Sequence, residues 1–541
     1  MKKKTLMKSM VAVVLLLSGI LSACGKTAEQ PPISASKEPN ASASSKPAEE
    51  VNQEVKKEKI ELNWFVSAPA NTSLPDASKD FVLQMIQDKF NVDLKLTYMV
   101  AGGDYNTKLN TLLASTPPDM WVDRNADGGI KYAIDGLLAD LTPFLSPETM
   151  PNYFKYWMTE ELLGRYQVQG AFYRAPIPYA KQSYRIFYIR QDWLDNLKLK
   201  MPTTYEEYIE VLKAFTFNDP DQNGKPDTYG FSTSGGGANL GWDWPELAKN
   251  GVKFPSYFED GKWVDGTMSE NMTAVLDDVT KLIDMKVVDP DWYLNKSPQH
   301  IEKAIQGKVG VVMGQTIDFA FDNAPTSIQY RTKQIHPQAE WRPFTMVGDT
   351  PLANQSAPSA PFLFPKTVAE KNPEKVKRTI EILDWLASEE GYLLTHFGQE
   401  GKHYKMEGRT VTLNKEAYQN DILNQGNFLQ IWSFFTQPIV QPEVYGLTVI
   451  DPNETDRDRE IVKFLLKQPL NPYIGAPLLP PQDFDISAFR KRQNELFSKA
   501  IFDDKSGKNW MAYREELLTK YRAQELLDKY TEDLRAAGAL K

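Results

Sequence analysis

Residues 60–98 read as strand, helix, strand, and that order constrains the fold more than any other feature of the chain. Ile60-Glu61-Leu62-Asn63-Trp64-Phe65-Val66 alternates apolar and polar residues. Phe81-Val82-Leu83-Gln84-Met85-Ile86-Gln87-Asp88-Lys89-Phe90 has helical spacing, and Val92-Asp93-Leu94-Lys95-Leu96-Thr97-Tyr98 alternates again. Two strands joined through a helix pair in parallel with a right-handed crossover, so the chain belongs to the α/β class. A helix over 104–115 and the apolar patch Met120-Trp121-Val122 continue the alternation. Ile186-Phe187-Tyr188-Ile189 and Val309-Gly310-Val311-Val312-Met313-Gly314 read as buried strands, with helices over 192–197 and from Pro202 onward. The last third reads as helices over 373–388, 417–423, 486–501 and 510–534. Sheets built this way present ligands at the carboxyl ends of their strands. A chain of 541 residues exceeds what one core holds, so two large lobes are expected.

Cys24 is the one cysteine, which excludes intramolecular disulfides and leaves stability to those cores. Lys2, Lys3, Lys4 and Lys8 form a basic start, followed by the apolar run Val11-Ala12-Val13-Val14-Leu15-Leu16-Leu17. The run is too short to span a membrane and suits a signal peptide over 1–23. Leu21-Ser22-Ala23-Cys24 resembles the bacterial lipobox, in which the thiol takes a lipid (palmitate among its acyl chains) and the chain is cut before it. That resemblance implies a protein tethered by Cys24 to the outer face of the cell membrane. Residues 24–59 are rich in Ser, Ala, Pro, Glu and Lys and read as a disordered linker. Cleavage removes four lysines and no acid, so the formal charge of −9 falls to −13. An acidic exported chain is a poor partner for nucleic acid.

The stretches from Tyr188 to Leu194, Pro202 to Glu207, Gln306 to Gly314 and Glu390 to Tyr404 together resemble the extracellular solute-binding proteins (family 1) of ABC importers. Tyr188-Ile189-Arg190-Gln191-Asp192-Trp193-Leu194 with Pro202-Thr203-Thr204-Tyr205-Glu206-Glu207 is similar to the lobe crossing of the maltodextrin-binding type. Gln306-Gly307-Lys308-Val309-Gly310-Val311-Val312-Met313-Gly314 is similar to its return strand. The run from Glu390 to Tyr404 resembles the lipoprotein branch of alginate-binding proteins and LplA/LipO-type lipoproteins. The resemblance implies a two-lobed, periplasmic-binding-protein-like fold of type II, with a hinge and an interlobe cleft. The lobes are expected at 60–185 plus 315–365 and at 186–314 plus 366–541. It further implies a monomeric, lipid-anchored receptor that captures an oligosaccharide and passes it to the permease subunits of an ABC transporter.

The sharpest chemical motif is Asp219-Pro220-Asp221-Gln222-Asn223-Gly224-Lys225-Pro226-Asp227. Oxygen-bearing side chains at positions 1, 3, 5 and 9 (Asp219, Asp221, Asn223, Asp227), Gly224 at 6 and the Lys225 carbonyl at 7 form the first nine residues of an EF-hand loop. The glutamate of position 12 is replaced by Gly230, and the resemblance to the alginate-binding branch assigns the last ligand to Thr228. A structural Ca2+ between helices of the second lobe is the expectation; a solvated turn fits the same residues. Trp121, Trp242, Trp244, Trp292, Trp341 and Trp432 are candidates for stacking on sugar rings, with Asp243, Gln315 and Asp318 as polar contacts. No catalytic constellation is visible: Cys24 is committed to lipid, and His300, His336, His396 and His403 lack zinc-peptidase spacing. A binding protein, not an enzyme, is therefore expected. A receptor of the same fold for a peptide or small metabolite is the alternative, and an exported polysaccharide hydrolase or lyase a further one.

Overall fold

The computed structural model describes residues 58–540, apart from 70–71, 101–102, 126, 179–181, 254–255, 349, 356–359, 437–441, 472–477 and 539. The expected signal peptide, Cys24 and nearly all of the expected linker lie outside the described residues. The strands that position the site are, in chain order, β1 (Ile60–Ala68), β2 (Val92–Val100), β3 (Met120–Val122), β4 (Ala175–Pro176), β5 (Gln182–Ser183) and β6 (Ile186–Arg190). They continue with β7 (Tyr229–Phe231), β8 (Val309–Gly314), β9 (Trp341–Phe344), β10 (Ala353–Gln355), β11 (Pro361–Leu363) and β12 (Leu470–Asn471). One sheet runs β2-β1-β3-β11-β4, a second β9-β6-β8-β7, and a small third sheet β12-β10-β5.

The expected βαβ unit is present: β1 pairs in parallel with β2, Ile60 opposite Val92 and Ala68 opposite Val100. Its period of two sorts the side chains between two faces. Leu62, Trp64 and Val66 enter the large core of the first lobe, whereas Phe65 joins Trp121, Tyr105 and Leu363 in a smaller cluster. Asp80 starts the intervening helix Phe81–Phe90 by accepting from the backbone N–H of Val82 and Leu83, and Asn91 ends it in the left-handed conformation. In the second lobe the helix Tyr205–Phe217 opens on a reciprocal capping box between Thr204 and Glu207, the signal legible in Pro202-Thr203-Thr204-Tyr205-Glu206-Glu207. The long helix expected over 510–534 is two, Trp510–Lys520 and Ala523–Ala536, because Arg522 between them is left-handed at φ 56°.

Core membership corrects the expected lobe boundaries. The first core draws on 62–177 and 360–447, and the second on 184–352 and 461–530. Residues 315–352 stay with the second lobe because β9 pairs with β6, Trp341 opposite Arg190 and Phe344 opposite Phe187. Residues 366–447 return to the first because the helix Pro373–Leu386 packs on β1, Thr379 accepting from the Trp64 indole at 3.2 Å. The helix-rich last third is thus divided between the lobes.

Register then shows where a cleft must lie. β6 starts just after the hinge strand β5 and runs antiparallel to β8, which sets Ile186 opposite Gly314, the last residue of β8. β11 starts just after hinge strand β10 and runs antiparallel to β3, with Phe362 opposite Val122. Both sheets therefore turn the carboxyl ends of their parallel strands toward the hinge.

Glu246 is a fully buried acid in the second core. Tyr205 donates to its Oε1 at 2.8 Å, while Oε2 has no partner. Burial pushes its carboxyl up to about 7. A folded-state value above the unfolded one means that the folded chain holds the proton more tightly, so this group lowers stability as pH rises from about 4.5 through 7. Glu246→Gln is expected to raise the urea midpoint at pH 8 more than at pH 5. Equal changes at both pH values would show that Glu246 does not titrate in this range.

Candidate functional site at the hinge-facing strand ends

On the first lobe the chain leaves β3 as Asp123-Arg124-Asn125, polar residues directly after three buried apolar ones. Asp123 is buried and accepts from the Asn125 backbone at 3.1 Å and from its side-chain amide at 2.9 Å. Burial, and then the Asp127 carboxylate, push Asp123 up to about 6 against those bonds. Arg174, itself buried, holds the loop from below: its Nη1 donates to the carbonyls of Asp127 and Gly128, both at 2.9 Å. Arg124 is exposed, its guanidinium 5.6 Å from the centre of the Phe434 ring. The loop so held presents an exposed guanidinium beside an aromatic ring and keeps its carboxyl buried.

On the second lobe Arg185 precedes β6, and its guanidinium donates to the Trp242 carbonyl. Trp242 is half-buried and lines a small cavity of about 40 Å³ with Arg185, Phe187, Met313 and Leu352. The cavity is too small for a sugar ring; it lies at the margin of the core on which Trp242 packs. Next along, Asp243 accepts from Thr233 Oγ1 at 3.2 Å and faces His300 Nε2 at 3.5 Å. Burial holds the His300 imidazole below its usual pKa, and the carboxylates of Asp243 and Asp289 offset this only in part. Gln315, just past β8, is exposed, and half-buried Asp318 is close enough to Tyr188 to add to the burial that raises its hydroxyl pKa.

Residues 82–399 match the family model of the bacterial extracellular solute-binding proteins. The chain belongs to that family. The polygalacturonan/rhamnogalacturonan-binding protein YtcQ of Bacillus subtilis is 25% identical over 433 residues, 76% of either chain. Lipoprotein LipO of the same organism is 27% identical over 367 residues, 64% of this chain and 68% of the relative. An HMO-binding ABC-transporter-associated solute-binding protein from Bifidobacterium longum infantis shares the fold, with a TM-score of 0.67 at 19% identity over 89% of this chain and 100% of that one. The two-lobed fold and the role of a binding protein, not an enzyme, are those expected from the sequence.

Of the six candidate tryptophans, this solute-binding protein leaves one with an accessible flank. Trp341 and Trp432 have no exposed surface, and their indole N–H groups are spent inside on Thr332 Oγ1 (3.0 Å) and Asp80 Oδ2 (3.0 Å). Trp244 is buried, donates to the Leu240 carbonyl at 2.7 Å and meets Trp292 edge to face. Trp292 is buried as well, with Phe502 lying parallel to it at 6.1 Å. Trp121 is buried in the small cluster beneath β3, edge-on to Tyr132. These five are core residues and offer no ring face to a ligand; the expectation that they stack on sugars is corrected. Arg185 and the Asp123-Arg124-Asn125 turn were missed, although polar residues bounding a short apolar strand are a readable signal.

The acidic loop joins the helix Tyr205–Phe217 to β7, not two helices as expected. Its side chains are tied to one another by hydrogen bonds. Asp219 accepts from the backbone of Asn223 and Gly224, both at 3.0 Å, and the Asn223 amide reaches Asp221 (2.7 Å) and Asp227 (3.3 Å). Gly224 has φ 76°, the left-handed turn expected of that position. Thr228 is a correction: it is buried, and its hydroxyl donates to the Phe215 carbonyl at 2.8 Å, facing the helix. Asp221 Oδ1 is buried without a partner, and Lys308 holds Asp227 at 2.5 Å. Among the described residues no three His, Cys, Asp or Glu side chains form a metal-ligating group. A cation here would draw on Asp219, Asp221, Asp227, the Asn223 amide oxygen and the Lys225 carbonyl.

Proposed function

We propose that this solute-binding protein is the lipid-anchored extracellular receptor of an ABC importer and captures an oligosaccharide between its lobes. The observation that carries the reading is Trp242: half-exposed at the hinge-facing end of the second sheet, with its carbonyl held by Arg185 and Asp243 beside it. A sugar ring needs an apolar flank next to hydroxyl acceptors, and this pair supplies both. Across the cleft, Arg124 and Asn125 supply further polar groups. The carbohydrates named for YtcQ and for the Bifidobacterium protein support the substrate class. Lipidation of Cys24 holds the monomer at the outer membrane face, where the permease subunits receive the cargo.

Thermal shift of the full chain in mild detergent tests the reading, using two- to eight-unit ladders of fructooligosaccharides and oligogalacturonides with a peptide mixture as control. A ligand present at 100 times its Kd adds about 2.7 kcal/mol to the folded state. A shift with any sugar ladder is the expected result; a shift with the peptides alone would sink the carbohydrate assignment.

The acidic loop is proposed to bind a structural Ca2+. Carboxylate, amide and carbonyl oxygens suit a hard cation, and the unpartnered buried oxygen of Asp221 lacks the partner that an ion would provide. Millimolar calcium is expected to raise the melting midpoint relative to EDTA, and Asp221→Ala to abolish that difference. An equal calcium response in the variant would place the ion elsewhere.

A further inference from the structure

A second cavity lies on the same lobe, outside the strand-end site. After β7 the chain runs through Gly235, Gly236 and Gly237, whose N–H groups donate to the carbonyls of Trp292 (2.9 Å), Asn295 (2.9 Å) and Tyr293 (2.6 Å). A side chain on Gly235 would stand 2.7 Å from the Tyr293 carbonyl, so this close approach depends on glycine. The segment carrying Trp242 and Asp243 is thereby fastened to residues 292–295. Asp291, Leu294 and Asn295, with the helix Gln299–Ile305 and Gln306 after it, line an open cavity of about 450 Å³. That volume falls within the range of small-molecule sites, about 300–1,000 Å³.

The charged groups around it are paired with one another. Lys303 bridges Asp289 and Asp291, both at 2.9 Å, and Glu302 is held by both arms of Arg331 at 2.8 and 2.6 Å. Asn295 is buried and donates to Ser232, Asp289 and the Thr233 carbonyl. Two neutral amides face the space with hydrogen-bonding capacity to spare. Gln299 uses only its Oε1, for the Lys296 N–H at 2.6 Å, and the Gln306 side chain makes no hydrogen bond among the described residues. Beside them Leu294 is 67% exposed, an apolar surface bordering a polar space.

We propose that this cavity is an accessory saccharide subsite that takes a neutral sugar unit of an oligosaccharide whose other units lie against Trp242. A sugar unit presents hydroxyls that both donate and accept, which neutral amides match, and a C–H face that Leu294 covers. Because every charge lining the cavity already has a counter-charge, an anionic unit gains no partner there and meets Asp291 and Glu302. The inference rests on the oligosaccharide reading of the cleft.

Calorimetry of the full chain against two- to eight-unit ladders of fructooligosaccharides (neutral) and oligogalacturonides (anionic) tests it, with wild type, Gln306→Ala and Leu294→Ser plus Gln306→Ala. Both substituted residues are exposed, so the fold is retained. In the wild type, affinity for the neutral ladder is expected to keep rising at the longer rungs. In the double variant that rise is lost, about tenfold at the longest rung, and the shortest rungs are unaffected. The same length dependence in wild type and variants overturns the subsite alone. A rise confined to the oligogalacturonides overturns its neutral character. Failure of the wild type to bind any rung of either ladder overturns the oligosaccharide reading and the subsite together.

Discussion

Trp242→Ala is expected to weaken oligosaccharide binding by about 2 kcal/mol, roughly thirtyfold, while the protein stays folded. The residue packs on the margin of the second core, where a small cavity already lies beside it, so truncation removes a ligand contact before it removes a structural one. Trp242→Phe retains an aromatic face and is expected to recover most of the lost affinity. Calorimetry with the tightest-binding rung of either ladder measures both. Unchanged affinity in a folded Trp242→Ala protein would remove this residue from the site and with it the observation on which the functional reading rests. The indole stands next to Asp243, so a loss confined to enthalpy with no change in Kd would likewise count against it.

Trp432→Ala should behave in the opposite way, costing about 3–5 kcal/mol of stability and leaving affinity per folded molecule unchanged. Trp432 has no exposed surface and packs with Phe435 in the first core. Its indole N–H donates to Asp80 Oδ2, and Asp80 also caps the helix Phe81–Phe90 through Oδ1. Truncation therefore opens a cavity and strips a buried carboxylate of one of its hydrogen bonds. Chemical denaturation gives the stability change, and calorimetry on the folded fraction gives the affinity. A large affinity loss at wild-type stability would return Trp432 to the ligand-binding residues. The two tryptophans were indistinguishable in the sequence, and the pair of experiments separates them.

Much of the fold was legible because it is written in local periodicity. The alternation of Ile60–Ala68, the helical spacing of Phe81–Phe90 and the cap at Thr204 depend on neighbours a few residues away, so composition and spacing specify them. The turn of the acidic loop was legible for the same reason: Gly224 takes the left-handed conformation expected from its place in the loop. Lobe membership was not, since it depends on which distant strand a segment pairs with. Nothing within Trp341–Phe344 says that its partner is β6, and nothing within Pro373–Leu386 says that it packs on β1.

The sequence by itself determined the α/β class, the two-lobed solute-binding fold and the order of its parts, because each follows from short-range pattern and from the resemblance those patterns carry. Tertiary structure alone decided which aromatic rings meet solvent, that Thr228 turns to the helix, and that Arg185 and Asp123 stand at the hinge-facing strand ends. Burial is a property of the packed chain: six tryptophans have the same side chain, and only the surroundings of Trp242 leave its flank open to a ligand.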